Sequence, residues 1–179
     1  CVLYCYPEEI YDELIETIRD EKKICHYLDL PIQHASDRVL KKMGRRTSRA
    51  QLIEIIGKLR KEIPDIALRT TLISGFPGET QEDHEELMAF VDEMEFDRLG
   101  VFTYSQEEDT PAAMMDDQID EEVKKDRQEE LMELQQEVSL DKNEEKIGQS
   151  MIAMVEGYLS DENVYVARTY ADTPGIDGY

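Results

Sequence analysis

Short apolar runs alternate with stretches of helical period over the first half of the chain. Residues 2–6 form an apolar run closed by Pro7. Residues 8–20 then carry Ile10, Leu14 and Ile18 at helical spacing, which predicts a strand followed by an amphipathic helix. A second strand is expected over 24–32. A short helix follows over 36–43 with Ser36 at its cap, and a longer one over 48–62 turns Leu52, Ile55, Ile56 and Leu59 to one face. Pro64 ends that helix. Residues 66–74 form a strand rich in β-branched and apolar side chains, broken by Gly75-Phe76-Pro77-Gly78. Thr80, supported by Asp83, caps a helix running to Glu95, with Leu87, Phe90, Val91 and Met94 facing inward, and 98–104 form a fourth strand. Strands separated by helices in this order imply a parallel α/β sheet or barrel, and the pattern does not choose between them.

The second half changes character. Thr110-Pro111 opens an irregular linker, and 117–147 read as one long, heavily charged helix stopped at Gly148. Two strand-like runs, 150–159 and 163–169, flank Ser160-Asp161-Glu162 and predict an antiparallel pair that begins a small all-β module. The expected division is 1–148 and 149–179. Neither end resembles a natural terminus. Cys1 to Tyr6 read as the middle of a strand and Pro174-Gly175 as a turn entering another, so the sequence is expected to be a piece of a longer protein.

Composition narrows the partners. Of 179 residues, 40% are hydrophobic, enough for a core, and no run approaches the roughly 20 apolar residues that span a bilayer. Three cysteines without an export signal are expected to be reduced thiols of a cytoplasmic protein. Net charge is 20 − 42 = −22, which repels a nucleic-acid backbone and attracts a basic protein.

Candidate chemistry gathers where parallel strands end, because ligands of such folds sit at the carboxyl edge. Gly75 and Gly78 allow either a close ligand approach or a plain strand-to-helix turn, and the helix starting near Thr80 would aim amides at the same edge. Gln33, His34 and Ser36 form a second polar group, serving either a ligand or helix capping with a surface histidine. Arg69, a charge inside an apolar strand, needs a partner or a ligand, and a carboxylate is the expected one. Cys1 and Cys5 have CxxxC spacing, but Glu8 stands where a third cluster cysteine would fall, so both are expected to be buried strand residues. His26 and His84 are expected to be ordinary strand and helix-surface residues. No phosphate-binding loop, zinc cluster or Ser–His–Asp signature is present.

Several blocks taken together resemble one family, the radical-SAM methylthiotransferases. They are Tyr27-Leu28-Asp29-Leu30-Pro31-Ile32-Gln33-His34-Ala35-Ser36, Met43-Gly44-Arg45-Arg46, Arg69-Thr70-Thr71-Leu72-Ile73-Ser74-Gly75-Phe76-Pro77-Gly78-Glu79-Thr80, and Tyr104-Ser105 followed by Thr110-Pro111-Ala112-Ala113. They cover nearly the whole chain, in order and at matching separations. Gln33-His34-Ala35-Ser36 resembles the branch that modifies an aspartate of a small-subunit ribosomal protein, whereas the transfer-RNA branch tends to carry Gln-Ser-Gly-Ser there.

The resemblance implies the C-terminal part of a radical-SAM partial (β/α) barrel, then the start of a small β-barrel (TRAM) domain. It implies S-adenosylmethionine and two 4Fe-4S clusters as cofactors, with the cluster cysteines outside this chain, which alone is then expected to be inert. It further implies an electron donor, a basic ribosomal protein as substrate and no direct nucleic-acid binding. The superfamily's Gly-x-Ile-x-Gly-x-x-Gly-Glu stretch falls on Thr71, Ile73, Gly75, Gly78 and Glu79, with Thr71 replacing the first glycine. Ile73 would meet the adenine, with Phe102 and Tyr104, beside Val101, closing that side. Gln33 and Ser36 would lie near the ribose, and Arg69 near the methionine carboxylate or the substrate. His34 and Arg45 would serve substrate or structure, and Asp109 replaces the usual Gly before the Thr-Pro-Ala-Ala block. Two other functions remain open: methylthiolation of a transfer-RNA adenosine, and an acidic binding module without catalysis. Against the first, 150–179 carry Glu156, Asp161, Glu162, Asp172 and Asp177 but only Arg168.

Overall fold

The computed structural model describes residues 1–175, so the expected strand entry at 176–179 lies outside the described residues. Three parallel strands, β1 (Tyr27–Asp29), β2 (Ala67–Ser74) and β3 (Arg98–Thr103), form a sheet in that order. The register sets Asp29 beside Arg69, Thr71 beside Gly100 and Ile73 beside Phe102. The connections carry helices α2 (Asp37–Lys42), α3 (Arg49–Glu62) and α4 (Gln81–Met94), as expected for parallel strands. Helix α1 (Asp12–Asp20) precedes β1 and packs on α3. The long helix α5 (Glu121–Glu144) lies against β3, β2 and α4.

Alternation along β2 decides which face is which. Leu68, Thr70, Leu72 and Ser74 are buried, while Arg69, Thr71 and Ile73 are half-buried on the opposite face. The buried face joins a continuous core with Ile18, Leu52, Ile56, Leu59, Leu87, Phe90, Phe96 and Leu131, drawn from α1, α3, α4, the α4–β3 turn and α5. The other face stays partly open, as the inner face of an unclosed barrel does.

The expected first strand over 2–6 does not form. Val2 and Cys5 bond to the β1 backbone in parallel, but Tyr4 between them adopts φ 57°, which breaks the extended chain after a single bridge. Cys1 is accordingly exposed and Cys5 half-buried rather than buried, and burial together with nearby Glu9 pushes the Cys5 thiol above its ordinary value. The next stretch divides into a 3-10 turn, Pro7–Glu9, and α1.

Two caps form as their residues predict. Ser48 and Gln51, and Thr80 and Asp83, make reciprocal capping boxes on α3 and α4. Ser36 sits at the start of α2 but caps nothing, because its hydroxyl turns to Asp83. After α5 the chain forms an antiparallel hairpin, β4 (Met154–Leu159) and β5 (Val164–Arg168), with Tyr158 and Tyr165 rings 4.9 Å apart. The stretch behind it returns to the sheet: Arg98 Nη2 donates to Asp172 Oδ1 at 2.6 Å, and Tyr170 Oη donates to the Asp65 carbonyl at 2.9 Å.

Candidate functional site

At the carboxyl edge of β2 and β3 the open face deepens into a cavity of about 410 Å³. Gln33, Thr71, Ile73, Phe102 and Tyr104 line it, with Ser105, Glu107 and Thr110 among the residues at its rim. Each wall residue is set by the backbone. Gln33 takes φ 70° and exchanges bonds with β2, its amide to the Thr71 carbonyl and its carbonyl from the Ile73 amide. Ile73 and Phe102 are direct neighbours across the sheet. Phe102 is 60% exposed, an aromatic surface presented at the cavity. Tyr104 leaves β3 with its amide on the Ser74 carbonyl at 2.9 Å, and Phe76 meets its ring edge-on at 5.3 Å. These residues make an apolar and aromatic lining with polar residues at the rim, compatible with the adenosine portion of the expected S-adenosylmethionine. They do not fit a cluster: among the described residues no group of three or more His, Cys, Asp or Glu could hold a metal ion.

Four of the expected cofactor residues, Gln33, Ile73, Phe102 and Tyr104, are therefore brought together. The remaining ones are engaged by the protein itself. The Ser36 hydroxyl donates to Asp83 Oδ1 at 2.6 Å, and Arg38 pairs with the same carboxylate. Burial would raise the Asp83 carboxyl, but Arg38, Ser36 and the Thr80 amide and hydroxyl hold it well below its ordinary range. Arg69 does meet a carboxylate, and it is the chain's own Asp29: Nη1 donates to Asp29 Oδ1 at 3.0 Å and to Thr71 Oγ1 at 3.1 Å. The space beside both glycines is filled by protein, not open to a ligand. A Cβ on Gly75 would overlap the Lys124 stem, and one on Gly78 would overlap Lys42 and Asp117. Both have positive φ, 70° and 75°. At the start of α4 the capping box takes up the Thr80 and Asp83 amides.

Glu79 closes the turn from below. Its side chain is fully buried, and its Oε2 accepts from the Gly75 and Phe76 amides at 2.8 and 3.3 Å. Arg127 Nη1 donates to Oε1 at 2.8 Å. Burial opposes the charge, but His34, Arg127 and the Gly75 amide outweigh it and hold the carboxyl below its ordinary value. His34 is buried at 0% exposure, not a surface residue. Its Nδ1 accepts the Ser36 amide at 2.9 Å, which assigns the ring proton to Nε2, 3.6 Å from Glu79 Oε2. His84 is also buried rather than on a helix surface, with Nε2 2.6 Å from Glu130 Oε2. His26 stands just before β1, with Nδ1 2.6 Å from Asp65 Oδ1. Arg45 stands apart, its guanidinium 5.1 Å from the Tyr6 ring centre in a shallow depression with Glu8 and Arg46.

The sequence placed α5 as a long charged helix but not its part in the turn. Lys124 and Arg127 are buried in the turn, Ser74 Oγ donates to the Lys124 carbonyl at 3.0 Å, and Gln128 Nε2 donates to the Val101 carbonyl at 2.6 Å. The available signal was two cations three apart, Lys124 and Arg127, in line with Leu131, Gln135 and Val138 on the buried face of the helix.

A parallel sheet whose carboxyl edge opens a nucleoside-sized cavity defines a class, and the class has a match: the radical SAM superfamily model covers residues 2–91, and the chain belongs to that superfamily. Within it, the chain is 61% identical over 178 residues to a Lachnoclostridium phytofermentans protein named ribosomal protein uS12 methylthiotransferase RimO, covering 99% of this chain and 40% of that one. Proteins of the same name from Clostridium perfringens and Clostridium botulinum are 55% and 56% identical over 177 residues, covering 99% of this chain and 39% of each. The chain thus spans about 40% of the length of the curated relatives it matches. The structure of Escherichia coli coproporphyrinogen III oxidase (HemN), titled a radical SAM enzyme, aligns with TM-score 0.63 and 23% identity over 74% of this chain and 31% of that one. That likeness concerns the fold: a radical-SAM partial barrel with a small antiparallel sheet behind it.

Proposed function

We propose that this chain forms the S-adenosylmethionine-holding wall and the substrate-side scaffold of an enzyme that methylthiolates an aspartate of ribosomal protein uS12. The observation that carries the reading is the cavity of Gln33, Ile73, Phe102 and Tyr104 in a chain 61% identical to a protein of that name. When bound, S-adenosylmethionine supplies the radical that removes a hydrogen from the target carbon. The chain's own residues bind and orient it. Ile73 and Phe102, side by side on adjacent strands, would meet the adenine, Tyr104 would close that side, and the Gln33 side chain would lie near the ribose. Asp29, Arg69 and Thr71 continue the inner face toward the open barrel, where a polar end of the cofactor or the substrate backbone would lie. Ser36, His34, Gly75, Gly78 and Glu79 act one layer beneath, keeping the turn rigid.

The hairpin β4–β5 begins the small β-barrel domain, with the boundary at 148/149. Two 4Fe-4S clusters and an electron donor complete the enzyme from outside this chain. A net charge of −22 favours a basic protein substrate over transfer RNA, and the site of action is the cytoplasm. No helix among the described residues is long and apolar enough to cross a membrane.

Mass spectrometry of small-subunit ribosomal proteins from cells lacking the gene tests this. One aspartate-containing peptide of uS12 should lose a methylthio group. An unchanged uS12, with a methylthiolated nucleoside vanishing from transfer RNA instead, would move the substrate to RNA.

A further inference from the structure

We propose that Lys124, on α5, is a positioning residue that sets the Tyr104 wall of the cavity and so tunes affinity for the adenosine portion of the cofactor. The inference rests on the cofactor reading above. Lys124 does not line the cavity. Its side chain is 3% exposed, and burying an ammonium is unfavourable unless specific partners compensate. The partners are specific. Nζ donates to the Tyr104 carbonyl at 3.1 Å, stands 5.2 Å from the Tyr104 ring centre, and pairs with Glu121 Oε1 at 2.6 Å. The stem reaches there through the notch left by Gly75, where any Cβ would collide with Lys124 Cγ. Glycine and lysine are thus a matched pair across two elements 49 positions apart in the sequence (124 − 75).

Tyr104 is held at its backbone and at its ring as a result. Ser74 takes its amide, Lys124 its carbonyl, and Phe76 and the ammonium flank its ring. It is the first residue past β3, where the chain turns into the cavity rim through Ser105. An apolar residue at 124 would fill the notch equally well, yet would leave the Tyr104 carbonyl without its donor and the ring without its cation. What the lysine adds over an apolar filler is therefore the placement of Tyr104.

The test uses the full-length enzyme with its clusters, titrated calorimetrically with S-adenosylhomocysteine, for wild type and Lys124→Met. Methionine keeps the stem and removes the charge and the donor. The proposal expects roughly tenfold weaker binding, a KM for S-adenosylmethionine raised by a similar factor, a kcat changed less than twofold, and unaltered cluster content. Equal affinity in the folded variant overturns it, whatever happens to the melting temperature. Should Lys124→Met fail to fold, Lys124→Gln, which retains a donor, carries the same comparison and is expected to lose less affinity. A wild-type enzyme that does not bind S-adenosylhomocysteine would instead overturn the cofactor reading, and this inference with it.

Discussion

Glu79 keeps its charge where no water reaches it, between two backbone amides, Arg127 and the ring of His34. Removing one partner of a buried pair leaves the other uncompensated, so Glu79→Gln should lower unfolding free energy by about 3 kcal/mol, read from urea denaturation. The pH dependence has a definite sign. The folded carboxyl titrates below its ordinary value, so the unfolded chain binds more protons over that window. Its contribution to stability is complete above about pH 4.3 and is lost as pH falls through the lower folded value. The Gln variant should lack that part of the acid limb. Glu79 itself was legible as the last residue of a turn motif. Its partner was not, because Arg127 lies 48 positions away on a helix that reads as a solvated connector. His34 shows the same limit: residue type marks a chemistry, but tertiary packing decides whether it faces a ligand or a neighbour.

Among the elements, those with strong local signals appear where the sequence puts them. β2, α3 and α4 begin and end within about two residues of expectation, because β-branched runs, Pro64 and two capping boxes act locally. Ser48→Ala, which removes one such box, should cost about 1 kcal/mol in a denaturant melt, with the slope unchanged. The segment 2–6 departs from expectation because a left-handed Tyr4 is a backbone choice that its side chain does not announce. Gln33, at φ 70°, is the same kind of residue, and it sits in the cavity wall. Backbone geometry rare for a residue type concentrates at sites. The caps of α2 and α3 differ for a tertiary reason, since Asp83 captures the Ser36 hydroxyl while nothing competes for Ser48.

For the molecule as a whole, stability is uneven. The sheet and the helices on it share one core, whereas both faces of the β4–β5 hairpin are open to solvent, with Met154, Val155, Tyr158, Leu159, Val164 and Tyr165 exposed. A lone two-stranded hairpin is marginal in water. In hydrogen exchange of this chain, amides of β4 and β5 should exchange orders of magnitude faster than those of β2. Equal protection would mean that the hairpin folds cooperatively with the barrel.

The central claim is that the cavity at the ends of β2 and β3 holds the cofactor. Phe102 tests it most directly, because it lines the cavity yet is 60% exposed and contributes little to the core. In the full-length protein, Phe102→Ala should leave the unfolding midpoint within experimental scatter, as surface substitutions do, at about 0.5 kcal/mol or less. Affinity for S-adenosylmethionine should fall about tenfold, or ~1.4 kcal/mol. An unchanged affinity at unchanged stability would contradict the account, and the cofactor would have to be sought elsewhere on the barrel.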